Sequence, residues 1–182
     1  MTKVAELDER LASEALRRIA ADLSMITDKT LSFEKIEVER RTTRAAGKGS
    51  VHISFKLSIQ RGNGTLHGAF LLPLSAAIEL ASRLLMMSEE VVAANRALTT
   101  LDAQTKDALM EIGNFVGGAC ESAVRALGFA DVKVRSEGCQ GVRADVRPAF
   151  VYVEGSPLVT ARVIGSSGGL PFEALLLLPA LD

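Results

Sequence analysis

Val51-His52-Ile53-Ser54-Phe55-Lys56-Leu57-Ser58-Ile59-Gln60-Arg61-Gly62-Asn63-Gly64-Thr65-Leu66-His67-Gly68-Ala69-Phe70-Leu71-Leu72-Pro73 is the stretch whose pattern decides the class of fold. Val51, Ile53, Phe55, Leu57 and Ile59 alternate with His52, Ser54, Lys56, Ser58 and Gln60. Successive side chains of a strand point to opposite faces, so this period of two predicts a strand with one buried face. The Asn63-Gly64 pair tolerates the positive φ of a tight hairpin turn. Residues 65–72 are therefore expected to return antiparallel, until Pro73, which lacks a backbone donor, stops the strand.

Outward from this hairpin the period changes. Upstream, Leu11, Leu16, Ile19, Leu23 and Ile26 recur every three to five positions, with Arg17, Arg18 and Asp22 between them, which predicts an amphipathic helix over 7–27. Ile36 and Val38, between Glu37 and Glu39, read as a first strand. Downstream, Ser75 is placed to cap a second helix to about residue 87, residues 88–95 read as an acidic connector, and a long helix is expected over 102–127, stopped by Gly128. Five short β segments follow, around Val132 and Val134, then Val142, Ala144 and Val146, then 150–153, 158–164 and 172–178.

Helix, strands, helices and strands again suggest an internal duplication of about 7–88 and 98–182 within one domain. Residues 13–21 lie over 106–114 at a constant offset, which sets Arg18 and Ala21 opposite Glu111 and Asn114. Residues 68–73 resemble 173–179 as strands ended by proline. The expected architecture is α+β with pseudo-twofold symmetry: an antiparallel sheet with the long helix and its counterpart packed on one face. Chemistry carried by Glu111 and Asn114 would then occur once per chain.

Composition narrows the function. The 182 residues carry 21 Lys and Arg against 22 Asp and Glu, a net charge of −1, which removes the electrostatic pull that nucleic-acid or anionic-membrane binding relies on. Seven Phe, one Tyr and no Trp offer no base-stacking platform. Cys120 and Cys139 fit a reducing cytoplasm rather than a disulfide framework. Residues 1–10 turn acidic at once and lack the apolar stretch of a signal peptide, and the longest uncharged apolar run, 174–181, is far short of the roughly 20 residues that span a bilayer.

The long helix carries the strongest functional signal. At about 100° per residue, Leu109, Ile112, Val116, Cys120, Ala123 and Leu127 form one buried stripe. Asp107, Glu111, Asn114, Gly118 and Arg125 cluster opposite, with Glu111 and Asn114 side by side at i and i+3. Gly113, Gly117 and Gly118 each cost about 1 kcal/mol of helix propensity relative to alanine, so their presence implies close approach of another backbone, either from the same fold or from a partner.

The string Asp107-Ala108-Leu109-Met110-Glu111-Ile112-Gly113-Asn114-Phe115-Val116-Gly117-Gly118-Ala119 resembles the CheC/CheX/FliY family of chemotaxis phosphatases. Their motif, an Asp or Ser, three residues, a Glu, two residues and an Asn, is matched here by Asp107, Glu111 and Asn114. The family pattern continues to a proline, and that place holds Glu137, with Pro148 the next proline. The resemblance implies a CheC-like duplicated fold and, as substrate, the aspartyl phosphate of a CheY-like response-regulator receiver domain. Such a receiver brings its own Mg²⁺, so no cofactor of this chain is expected. Phosphoryl transfer from an acyl phosphate chiefly needs a water held in line. Asn114 is the candidate to orient that water, since an amide both accepts and donates hydrogen bonds. Glu111 is the candidate to pair a lysine of the receiver. Asp107 and Gly118 are expected to serve docking. The alternative within the same resemblance is a non-catalytic switch module like the FliM middle domain, and a homodimer formed through a strand edge is compatible with either.

Other motifs are weaker. His52 and His67 read as exposed strand positions without ligand-spaced neighbours, so no metal site is expected. Gly47-Lys48-Gly49-Ser50 lacks the upstream glycine of a phosphate-binding loop and reads as a hairpin loop. Arg40, Arg41, Arg44 and Lys48 read as a solvated basic turn.

Overall fold

The computed structural model describes residues 4–182. Its elements are α1 (Glu6–Thr27), β1 (Leu31–Arg41), β2 (His52–Arg61), β3 (Gly64–Pro73), α2 (Leu74–Leu84), α3 (Glu89–Asn95), α4 (Ala103–Ala126), β4 (Lys133–Val142), β5 (Leu158–Ser167) and β6 (Leu170–Pro179). The six strands form one sheet in the order β1-β5-β6-β3-β2-β4, with antiparallel neighbours throughout. Alternation sends Ile53, Phe55, Leu57, Phe70, Leu72, Ala161 and Leu176 into a core shared with Leu16, Ile19, Ile112 and Val116 of the helices. The fold is α+β, with α1 and α4 on one face of the sheet.

The duplication is visible in the strand registers. His52 sits opposite Pro73 and Leu158 opposite Pro179, both 106 residues later, and the halves meet where Phe70 of β3 faces Leu176 of β6. Each half gives its first strand to the other: β1 pairs with β5, and β4 pairs with β2. Each of those first strands also carries a bulge, at 34–37 in β1 and between Ser136 and Cys139 in β4. The sequence offset of the helices is corrected. Arg41 faces Leu158 as Val142 faces His52, an offset of 101, and buried Leu11, Ala15, Ile19 and Leu23 repeat as Ile112, Val116, Cys120 and Val124 at that same spacing. The counterparts of Glu111 and Asn114 are thus Arg10 and Ser13, not Arg18 and Ala21, and the pair still occurs once. Residues 13–21 misled because helix periodicity lets amphipathic segments overlap at several spacings.

Local differences have local causes. The acidic connector is helix α3, whose Ser88 hydroxyl accepts from the Val91 N–H and whose Val92 is buried. Pro73, not Ser75, stands before α2, and the Leu74 N–H donates to the Val51 carbonyl. The stretches around Ala144, Val146 and 150–153 are irregular rather than strands. Because β1 and β2 lie four places apart in the sheet, the loop 42–51 is no hairpin: it crosses the face away from the helices, as 143–157 does for β4 and β5. The two crossings touch where the Asp145 N–H donates to the Gly47 carbonyl. With Ala45 and Phe150 they cover a second apolar cluster of Ala69, Leu71, Leu175 and Leu177. His52 is buried there, its Nδ1 2.8 Å from the Ser50 carbonyl, so it is not an exposed strand position. Nor is the basic turn simply solvated. Arg40 donates to both carboxylate oxygens of buried Asp8 at 2.9 and 3.0 Å and to Asp182 at 2.8 Å, and these carboxylates drive its pKa above the usual arginine value.

Candidate functional site: the exposed face of α4

The helix that carries the site is fixed at both ends. Asp102 accepts from the Thr105 N–H at 2.7 Å, and this bond holds its carboxyl below the usual range. At the far end Leu127 leads into Gly128 at φ +96°, and the Phe129 N–H donates to the Val124 carbonyl, which completes a Schellman turn. Glu121 accepts from the Val134 N–H at 3.0 Å and ties the helix to the start of β4, a contact that no sequence spacing pointed to.

Between these anchors the glycines divide into two kinds. A Cβ on Gly113 would lie 2.9 Å from the Ser136 hydroxyl oxygen, and one on Gly117 would lie 3.0 Å from the Ser136 backbone nitrogen. These two therefore admit β4, an element of the same fold, at backbone distance. Gly118 is different: nothing stands within 4 Å of its missing Cβ, and it lies on the exposed face.

Asp107, Glu111 and Asn114 are exposed on that same face, as their spacing predicts. Among the described residues none of the three has an ion pair or side-chain hydrogen bond, so their full capacity points outward. Cavities lie elsewhere, one of about 490 Å³ along Val38, Glu39, Arg40 and Arg41 of β1. A convex helix face with unsatisfied polar groups suits a macromolecular surface better than a small molecule.

Met110 adds a feature that the helical projection left unremarked. It precedes Asn114 by one turn, is 45% exposed, and its thioether lies 3.7 Å from where a Cβ on Gly138 would be. Gly138, at φ +92°, and Glu137 form the β4 bulge, and the two residues face opposite ways. Gly138 supports Met110, whereas Glu137 reaches His67, its Oε2 3.3 Å from Nδ1, on the far face of the sheet. The residue at the family's proline place therefore does not touch Glu111 or Asn114. Pro148 is on that far face too, where its carbonyl accepts from Arg44.

No protein-family model and no curated protein matches the sequence. Solved structures do. The FliM middle domain from H. pylori superposes with a TM-score of 0.66 at 11% identity, over 97% of this chain and 94% of that one. FliY from Thermotoga maritima gives 0.66 at 13%, over 98% and 93%. The chemotaxis protein CheX from Desulfovibrio desulfuricans gives 0.58 at 15%, over 91% and 97%. The chain has the CheC/CheX/FliY-type fold.

Proposed function

We propose that this chain is a phosphatase that removes phosphate from the aspartyl phosphate of a CheY-like receiver domain. The observation that carries the reading is the pairing of Glu111 and Asn114, one turn apart, exposed and unpartnered, on a helix whose remaining faces are locked against β4 and the core. In this reading the face of α4 inserts into the receiver's phosphorylation site. The Asn114 amide oxygen accepts from a water and its nitrogen holds the same water in line with phosphorus. The water's oxygen forms the new P–O bond as the bond to the aspartyl oxygen breaks, which releases inorganic phosphate and a carboxylate. Glu111 pairs with a receiver lysine and sets the register of docking, while Asp107 and open Gly118 shape the contact. The Mg²⁺ that neutralises the phosphoryl oxygens belongs to the receiver.

The test is the decay of aspartyl phosphate on cognate receiver domains, with wild type and Asn114→Ala. Accelerated decay that Asn114→Ala abolishes supports the reading, and a full rate in that variant ends it. A second reading, a non-catalytic switch module, is favoured by the superposition on FliM middle domains, one of which was crystallised with FliG. It predicts that a phosphorylated receiver or a switch protein binds while decay stays at its spontaneous rate.

A further inference from the structure

The face of the sheet turned away from α4 holds a second concentration of charge. Alternation places Lys56 of β2 and His67 of β3 on that face, because Phe55 and Leu57 beside Lys56, and Phe70 an odd number of residues from His67, enter the helical core. The crossing 42–51 brings Arg44 above them, and the crossing 143–157 brings Ala149, Phe150 and Val151. With Glu137 these residues line an open cavity of about 380 Å³.

The charges there do not balance. The one carboxylate, Glu137, is engaged with His67 at 3.3 Å. Arg44 and Lys56 take part in no ion pair among the described residues. This is unusual for the molecule: the other arginines that are half-buried or buried, Arg18, Arg40, Arg41, Arg83, Arg96 and Arg162, each reach a carboxylate. Arg44 is nevertheless held in place. Its Nη1 donates to the Pro148 carbonyl at 2.9 Å, its guanidinium carbon lies 5.7 and 5.8 Å from the ring centres of Phe150 and Tyr152, and its Nε is buried without a partner. The Tyr152 hydroxyl, whose one proton lies within reach of both the Thr42 and the Ser156 carbonyl, fixes that aromatic support in turn. Two cations held partly out of water without a counter-charge are costly, and an anion offsets that cost. The neighbouring wall of Ala149, Phe150 and Val151 offers apolar contact to whatever carries the anion.

We infer that this cavity binds a small organic anion, a phosphate or carboxylate group on an apolar body, with Arg44 and Lys56 taking the charge and Phe150 the body. The site lies on the opposite face from Glu111 and Asn114 and does not depend on how that pair is read. Calorimetric titration of the full chain at low salt tests it, with phenyl phosphate, benzoate, inorganic phosphate and benzyl alcohol as probes. Phenyl phosphate or benzoate is expected to saturate one site, inorganic phosphate to bind more weakly, and benzyl alcohol not to bind. Lys56→Gln should weaken the organic anion at least about tenfold with an unchanged circular dichroism spectrum, and Glu137→Gln should tighten it about two- to fivefold by removing the competing carboxylate. Arg44 is a poorer test because its packing on Phe150 is part of the fold, and if Lys56→Gln fails to fold, Glu137→Gln alone decides. Absence of saturable binding by either organic anion overturns the inference, as does equal affinity in folded Lys56→Gln or unchanged affinity in Glu137→Gln.

Discussion

At the scale of single residues, Asn114 and Glu111 differ in what they are expected to contribute. Asn114 has no charge and, among the described residues, no internal partner, so Asn114→Ala should leave stability and receiver binding nearly unchanged while lowering the proposed phosphatase rate by about 100-fold, the usual cost of losing alignment of a reacting group. Glu111→Ala should weaken binding as well as rate, which a separate binding isotherm would read. Met86 invites a different substitution. It leaves α2 at φ +57° in the place where a Schellman turn favours glycine, with its N–H donating to the Arg83 carbonyl and that of Met87 to the Ser82 carbonyl. Its side chain is 91% exposed and packs on nothing that offsets the strain. Met86→Gly is therefore expected to raise the stability by about 1 kcal/mol, measured by urea denaturation.

At the scale of elements, the α4 glycines are of two kinds, those packed on β4 and the one that faces open space. Gly117→Val would drive a branched side chain into the β4 backbone at Arg135 and Ser136 and should destabilise the fold by about 1–3 kcal/mol. Gly118→Ala meets open space and should stabilise the helix by about 1 kcal/mol while weakening receiver binding, since only a partner needs that gap. Thermal denaturation and the binding isotherm together check both. A Gly118→Ala protein that binds as tightly as wild type would remove Gly118 from the interface.

At the scale of the whole molecule, acid sensitivity follows from carboxylates held by arginines. Hydrogen bonds from Arg17 and then Arg18 lower the Glu14 pKa to about 2, and Arg83 and Arg40 lower those of Glu89 and Asp182. A carboxyl whose folded pKa is depressed binds protons more readily when unfolded. Its contribution is thus present above the unfolded value near 4.5 and lost as pH falls toward the folded value. The melting temperature should stay level from pH 7 to 5 and fall from about pH 4.5 toward 2, with a shallower fall in Glu14→Gln. A melting temperature flat down to pH 2.5 would contradict this.

How much of this was legible in the sequence depended on the range of the interaction. The β2–β3 hairpin, the ends of α1 and α4, and the exposure of Asp107, Glu111, Asn114 and Gly118 follow from periods of two and 3.6 and from turn chemistry, which are properties of adjacent residues. The exchange of first strands between the halves, the offset of 101 between the helices, the burial of His52 and the crossing loops depend on which strands pair, and local pattern does not encode strand order. The same holds for the glycines. Their cost to a helix is readable in the sequence, but only the structure shows that Gly113 and Gly117 admit β4 while Gly118 faces open space. The sequence by itself determined α1, α4, the β2–β3 hairpin and the face of α4 that carries the polar pair. Tertiary structure decided what packs on that helix and what gathers Arg44, Lys56, His67 and Glu137 into one cavity, because those contacts join residues far apart in the chain.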